Sequence, residues 1–211
     1  MLDKKEDKSI IIPGCVYCSA GELMDFSGAK HIELDMGCGK GSFTTALAQR
    51  LPETKIIAAD VMIGRLRALV RRNQRENVNN IIPLRMEARM LIGLILPDNF
   101  LHRLHILCPD PWPKDKHRAN RLLCSDFVVH LHRVLEPGGM FHFSTDDLPY
   151  LETVKKVVSL SGLFDEFQEG YEEISDIKSD FERRWNGKGL PVTHLVWKKR
   201  NIVKPDNYKG H

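Results

Sequence analysis

Short apolar segments alternate with amphipathic ones along most of this chain, and that alternation narrows the fold before any motif is considered. Ile32–Met36, Ile56–Ala59, Ile81–Leu84, Leu104–Cys108, Met140–Ser144 and Leu195–Trp197 read as strands. Ser42–Arg50, Ile63–Gln74, Ser125–Leu135 and Leu151–Leu160 read as helices, because their apolar residues recur at three- and four-residue spacing. Ile63, Leu66, Leu69 and Val70 share one helix face, and Phe127, Leu131, Val134 and Leu135 another. Ser125 is placed to cap its helix, and Pro137-Gly138-Gly139 to end it. Pro83 cannot donate to a ladder, so its strand is expected to be irregular or at an edge. Strand and helix in turn, at the spacing of βαβ units, predict an α/β fold: doubly wound, with a mostly parallel sheet and helices on both faces. Right-handed crossovers then gather the strand C-termini along one edge, where such folds bind ligands.

Size and charge limit the remaining classes. A chain of 211 residues suits one domain and buries about 70% of its unfolded surface. The expected layout is an N-terminal extension over 1–30, a catalytic domain over 31–200 and a C-terminal tail over 201–211, with the first nine residues a charged tail. Leu91 to Leu96 is the longest apolar candidate and falls far short of the ~18 residues of a membrane span. No apolar region of signal-peptide length follows the charged first eight residues, so a secretory signal is not expected and the compartment is expected to be the cytoplasm. Five scattered cysteines, an odd number, fit a reducing environment. Cys15-x-x-Cys18 has no second pair at zinc-ligand spacing, and His130 and His132 point in different directions on a helix, so no metal site is expected. A net charge of +3 permits an acidic partner without demanding one.

The first strand ends in Glu33-Leu34-Asp35-Met36 and runs into Gly37-Cys38-Gly39-Lys40-Gly41. Alternate glycines let a backbone approach a ligand and turn into a helix. Ser42 breaks the dinucleotide pattern GxGxxG. Asp35 suits a cationic ligand group better than a pyrophosphate, and the ammonium and sulfonium of S-adenosylmethionine meet that requirement. Asp60, after the second strand, is placed to accept from ribose hydroxyls, and Glu87-Ala88, after the third, to meet the adenine amine.

After the fourth strand comes Cys108-Pro109-Asp110-Pro111-Trp112-Pro113, whose prolines exclude helix and pre-set a loop at the cofactor edge. Asp110 offers a carboxylate and Trp112 a flat apolar surface; Cys108 reads as core. Lys114, Lys116, His117, Arg118 and Arg121 follow, opposed only by Asp115, and read as a phosphate-contacting strip. Arg67, Arg71 and Arg75 form an i, i+4 ridge that reads as a solvated face. Phe141, Phe143 and Trp197 read as core, while Trp185 is left open between packing and stacking.

Asp35-Met36-Gly37-Cys38-Gly39-Lys40-Gly41, Pro109 to Lys114, Ser144-Thr145-Asp146 and Ser179-Asp180-Phe181-Glu182 together resemble the tRNA (guanine-N7)-methyltransferase family, over about residues 30–200. The resemblance implies a Rossmann-like class I methyltransferase with a seven-stranded sheet, S-adenosylmethionine as cofactor and tRNA as partner. It further implies guanine 46 of the variable loop as target and action as a monomer or homodimer. It implies Asp110 as the catalytic acid, also near the cofactor. It places Lys114, Asp146 and Ser179 to Glu182 at substrate, the last segment near the cofactor's amino-acid end, and Lys116 to Arg121 on RNA. Asp35 and Asp60 stand where that family usually has Glu, and Ser179 where it has Thr. On the chemistry alone two alternatives stay open: methylation of an exocyclic base amine, and a non-catalytic RNA-binding module.

Overall fold

The computed structural model describes residues 9–13, 19–112 and 121–201. Lys114, Lys116, His117, Arg118, Cys15 and Cys18 lie outside them. In chain order the elements are α1 (Ala20–Leu23), β1 (His31–Met36), α2 (Ser42–Arg50), β2 (Thr54–Ala59), α3 (Ile63–Glu76), β3 (Ile81–Leu84) and α4 (Ala88–Met90), which continues as a π-turn over Leu91–Ile95. β4 (Leu101–Leu107), α5 (Ser125–Val134), β5 (Leu135–Thr145), α6 (Leu148–Ser161), β6 (Phe164–Glu166), α7 (Glu169–Glu172), α8 (Asp180–Asn186) and β7 (Thr193–Lys199) follow. The sheet order is β3-β2-β1-β4-β5-β7-β6, with β1 to β5 parallel and β7 antiparallel to both β5 and β6. This is the expected doubly wound, mostly parallel sheet.

Strand pleating separates two unlike faces. Leu34, Leu104, Phe141 and Phe143 join the large core under α5 and α6, with Phe127, Leu131, Val134, Tyr150 and Val154. Trp197 stacks on Phe141 there, at 5.4 Å between ring centres. Each such side chain contributes about 1.5–3 kcal/mol on burial. The opposite face, under α2 and α3, packs Phe43, Leu47 and Ile56 in one cluster and Ala58, Leu66, Leu69 and Val70 in another. The same face carries Glu33, Asp35, Arg103, His105 and His142, all buried.

Several boundaries differ from the sequence reading. Ser125 is the first residue of α5; the cap position belongs to Cys124, which makes no side-chain cap. Pro137-Gly138-Gly139 does not stand between helix and strand. β5 already begins at Leu135, paired with Leu101, and the Pro-Gly-Gly segment is absorbed by a register shift between Leu101 and Arg103. β3 is an edge strand, as Pro83 requires, and Ile11 clips onto it: Ile11 N–H donates to the Pro83 carbonyl at 2.9 Å and Arg85 N–H to that of Ile11 at 2.8 Å. The apolar run at 91–96 is the π-turn. Arg133 satisfies its carbonyls, donating to Ile92 at 2.5 Å and Leu96 at 2.9 Å.

Gly41 precedes α2 at φ +78°, and a Cβ there would lie 2.5 Å from Cδ1 of the fully buried Leu69. Gly41→Ala therefore combines left-handed backbone strain with overpacking, and is expected to cost about 2–4 kcal/mol. Urea unfolding should show the loss as a lower midpoint with unchanged slope.

Candidate active site

The C-terminal ends of β1, β2 and β4 frame two adjoining cavities. The larger, about 230 Å³, is lined by Gly37, Asp60, Val61, Met86, Ala88, Leu122 and Cys108 to Asp110, among others. The smaller, about 110 Å³, is lined by Asp35, Gly37 to Lys40, Phe43 and Ser179 to Phe181. Gly37 and Leu107 border both, so the two form one trough along the sheet edge. Gly37 and Gly39 take φ of +79° and +58°, and no atom comes within 4 Å of where a Cβ would stand, leaving room for a ligand against bare backbone.

Two carboxylates hold the ends of the glycine loop. Asp60 accepts from Gly39 N–H at 3.1 Å and Met62 N–H at 2.7 Å, with the Arg65 guanidinium at 3.4 Å. An ionised carboxylate has about four acceptor positions, so capacity remains for ligand hydroxyls. Asp35 is buried and accepts from the Thr44 hydroxyl; burial raises its pKa, against the pull of Thr44. Glu87 behaves differently from expectation. β3 ends at Leu84, and Glu87 is exposed and caps α4 through Met90 N–H at 3.0 Å. Ala88, not Glu87, lines the cavity.

The loop after β4 is strained at both ends: Cys108 and Trp112 take φ of +47° and +44°, which bulky residues rarely adopt. Between them Asp110 is exposed at the cavity rim. Cys108 N–H donates to the Ser144 carbonyl at 2.9 Å, tying the loop to β5. The sequence puts Arg121 on phosphate, but the structure turns it inward. Its Nε donates to the Pro111 carbonyl at 2.8 Å and its guanidinium lies 5.1 Å from the Tyr150 ring centre, so it braces the loop.

Ser179 caps α8 by accepting from Glu182 N–H, and Asp180 N–H donates to the Ser42 hydroxyl at 2.7 Å, which pins this segment to the start of α2. Asp180 pairs with Arg183 at 2.6 Å and Arg72 at 3.4 Å. Phe181 stacks on Trp185 at 4.3 Å, and Trp185 Nε1 donates to Asp146 at 2.6 Å. Trp185 thus joins α8 to the end of β5, a role the sequence left open. Glu182 is buried, 3.0 Å from His194 Nε2 and 2.8 Å from Lys178 Nζ. Burial opposes its charge, but those two partners outweigh burial and lower its pKa. His105, His142 and His194 went unread in the sequence; their signal is a polar pair two residues apart on one face of β4 (Arg103, His105) and β5 (His142, Ser144), with His194 on β7, which resembles a solvated face.

A Gly-rich turn after β1, acids at the end of β1 and just after β2, and a trough along the C-terminal sheet edge define a class I methyltransferase of Rossmann-like architecture. Residues 29–195 match a family described as a putative methyltransferase. The chain is 33% identical over 195 residues to a tRNA (guanine-N(7)-)-methyltransferase of Polaromonas, covering 88% of this chain and 78% of that one. It is also 33% identical to that of Paracidovorax citrulli, with 82% and 68% covered. With the Thermotoga maritima enzyme it shares 30% identity over 88% of this chain, and spans 61% of that relative's length. The chain belongs to the tRNA (guanine-N7)-methyltransferase family. Its fold is similar to that of the 16S rRNA methyltransferase KamB, at a TM-score of 0.59 and 15% identity, covering 88% of this chain and 99% of that one. Among the described residues no helix is long and apolar enough to cross a membrane.

Burial pushes the Cys108 thiol up to about 12. At pH 8 only about one molecule in ten thousand then carries the thiolate, against about a quarter for a free cysteine of pKa near 8.5. Alkylation of Cys108 in the native protein, followed by peptide mass spectrometry, should be at least about a hundredfold slower than that of a free thiol.

Proposed function

We propose that this chain transfers a methyl group from S-adenosylmethionine to N7 of a guanine in tRNA, guanine 46 of the variable loop, working in the cytoplasm as a monomer or homodimer. The observation that carries the reading is the trough itself. It places Asp110, on a strained and braced loop, at the rim of the cavity that holds Asp60 and continues to Asp35 and Ser179.

The residues present fit the cofactor. Met86, Ala88 and Leu122 offer an apolar slot for adenine, Asp60 has acceptor capacity for ribose hydroxyls, and Asp35 with the open glycine backbone suits an ammonium group. Bound there, S-adenosylmethionine supplies an electrophilic methyl group on a sulfonium. Guanine N7 carries a free lone pair, so no proton need be removed before attack. The work of the chain is alignment, which can supply about 7–11 kcal/mol of the barrier. Asp110 accepts from the guanine N1–H and N2 amine and stabilises the positive charge that develops on the ring. Arg121 and the prolines keep that carboxylate in place. Ser179 to Phe181 form the far wall, with Asp146 held by Trp185 and Glu182 buried behind it. Lys114, Lys116, His117 and Arg118 contact phosphate, positioning the RNA while the pocket selects the base.

Incubation with unmodified tRNA and labelled cofactor, followed by nucleoside mass spectrometry, should yield 7-methylguanosine; N6-methyladenosine alone would overturn the reading. Loss of the product in tRNA lacking guanine 46 tests the position.

Asp60 and Asp110 should separate cofactor binding from turnover. Asp60→Ala removes charge-assisted hydrogen bonds worth about 1.5–3 kcal/mol each and also frees the Gly39 loop. Cofactor affinity should fall roughly ten- to hundred-fold, with much of the rate restored at saturation. Asp110→Asn should lower single-turnover rates steeply while calorimetry finds affinity within a few-fold. Full turnover at saturating cofactor in Asp110→Asn would assign Asp110 to the cofactor alone.

A further inference from the structure

A continuous line of hydrogen bonds crosses the sheet beneath the trough. Glu33 Oε2 on β1 lies 3.0 Å from His105 Nε2 on β4, and His105 Nδ1 lies 2.9 Å from His142 Nδ1 on β5. His142 Nε2 lies 2.9 Å from His194 Nδ1 on β7, and His194 Nε2 lies 3.0 Å from Glu182 Oε1 on α8. Side-chain exposure is 1% or less for Glu33, His105 and His142, 4% for Glu182 and 7% for His194. The far end adjoins the trough, because Glu182 belongs to the same turn as Ser179, Asp180 and Phe181, which line it.

The protons in this line can be counted. Each of its four links needs one proton between two acceptor atoms. Three neutral imidazoles supply three. With both carboxylates ionised, one link would set two ring lone pairs against each other at 2.9 Å inside the protein.

We propose that the Glu33–His105–His142–His194–Glu182 line holds a fourth proton as a single buried imidazolium, and that this charge clamps Glu182 and so positions the Ser179–Phe181 wall of the trough. The histidines and Glu33 are positioning residues; none touches the trough. The clamp's effect on ligand binding rests on the S-adenosylmethionine reading above, whereas the proton count does not.

The surroundings favour this placement. Burial opposes ionisation of Glu33, but the His105 hydrogen bond and the Arg103 charge outweigh it and lower its pKa, as His194 and Lys178 do for Glu182. Each end also lies near a cation outside the line, Glu33 3.9 Å from Arg103 and Glu182 2.8 Å from Lys178, which favours the carboxylate at both. Burial, and then the two neighbouring imidazoles, hold His142 well below the usual imidazole range, so the charge sits at His105 or His194, each against a carboxylate. Facing the line are Asp35 on β1, Arg103 on β4 with its partner Glu173, and Ser144 on β5 beside His194. Phe43 lies edge-on to His105, Tyr171 stacks on His194 at 4.5 Å, and Lys178 contacts both Tyr171 and Glu182.

Nitrogen-15 spectra of the histidine rings test the count in the full-length protein. At pH 7.5 a free imidazole of pKa near 6.5 is about one-tenth protonated. Among His105, His142 and His194 the expected total is one doubly protonated ring, with His142 neutral. In Glu33→Gln the new amide donates to His105 Nε2 and fills the fourth link, so all three rings should be neutral. Should that variant fail to fold, Glu182→Gln supplies the same proton from the other end. Three neutral rings in the wild type, or an imidazolium that survives either substitution, would overturn the proposal.

Calorimetric titration with S-adenosylmethionine from pH 6.5 to 9.5 tests the clamp. The ligand's own amine titrates identically with both proteins and cancels in their ratio. Wild-type affinity should fall at least about threefold relative to Glu33→Gln as pH rises and the fourth proton leaves. A pH-independent ratio, with binding intact, overturns the clamp. No binding by the wild type at any pH overturns the cofactor reading instead, and the positioning role with it.

Discussion

A parallel sheet buried on both faces usually carries apolar side chains on each, but here the β1, β4 and β5 part of one face is polar. Glu33, Asp35, Arg103, His105, His142 and Ser144 lie within the fold on the face beneath α2 and α8. Burying unpaired polar groups costs several kcal/mol each, so this layer is tolerable only if its members meet one another. The elements that cover it are chosen accordingly. α2 brings Thr44 to Asp35, the α7–α8 segment brings Glu173 to Arg103 at 2.8 Å, and α8 brings Glu182 to His194. Arg103 is the least well served: its Nε and Nη1 have no hydrogen-bond partner among the described residues, although the Glu33 carboxylate lies 3.9 Å from Nε. The polar layer thus dictates where α8 sits, and α8 closes the trough.

The active-site edge combines fixed backbone with few flexible side chains. Strain at Cys108 and Trp112 persists because prolines, the β5 contact and Arg121 over-determine the loop between them. A carboxylate on such a loop loses little freedom on meeting any ligand, which is a form of pre-organisation. The Trp185–Asp146 and Ser42–Asp180 hydrogen bonds do the same for the opposite wall.

What the sequence disclosed and what it concealed divide along physical lines. Local period and punctuation were sufficient for β1, α2, β3 and α3, for the edge position forced by Pro83 and for the glycine turn. The PDPW loop was legible because proline restricts backbone whatever surrounds it. Tertiary partners were not. Arg121 reads as one more cation in a basic strip until Pro111 and Tyr150 are placed around it. Glu87 reads as a strand-end acid until β3 is seen to stop three residues earlier. The alternation of His105, His142 and His194 with apolar neighbours has the pattern of a half-solvated strand, since periodicity reports that two faces differ and not which of them water reaches. α7 and α8 are short and owe their place to these same partners, so no local pattern announced them.

The two rims of the sheet are closed by different means. β3 is four residues long, contains Pro83 and is clipped by Ile11; β6 is three residues long and carries the ion pair between Asp165 and Arg200. Exposed, long, uncharged strand edges are templates on which another chain can crystallise a strand of its own. Neither rim here offers one. Growth of this sheet by edge-to-edge annealing is thereby discouraged, which leaves helices and loops as the larger part of the surface open to a partner.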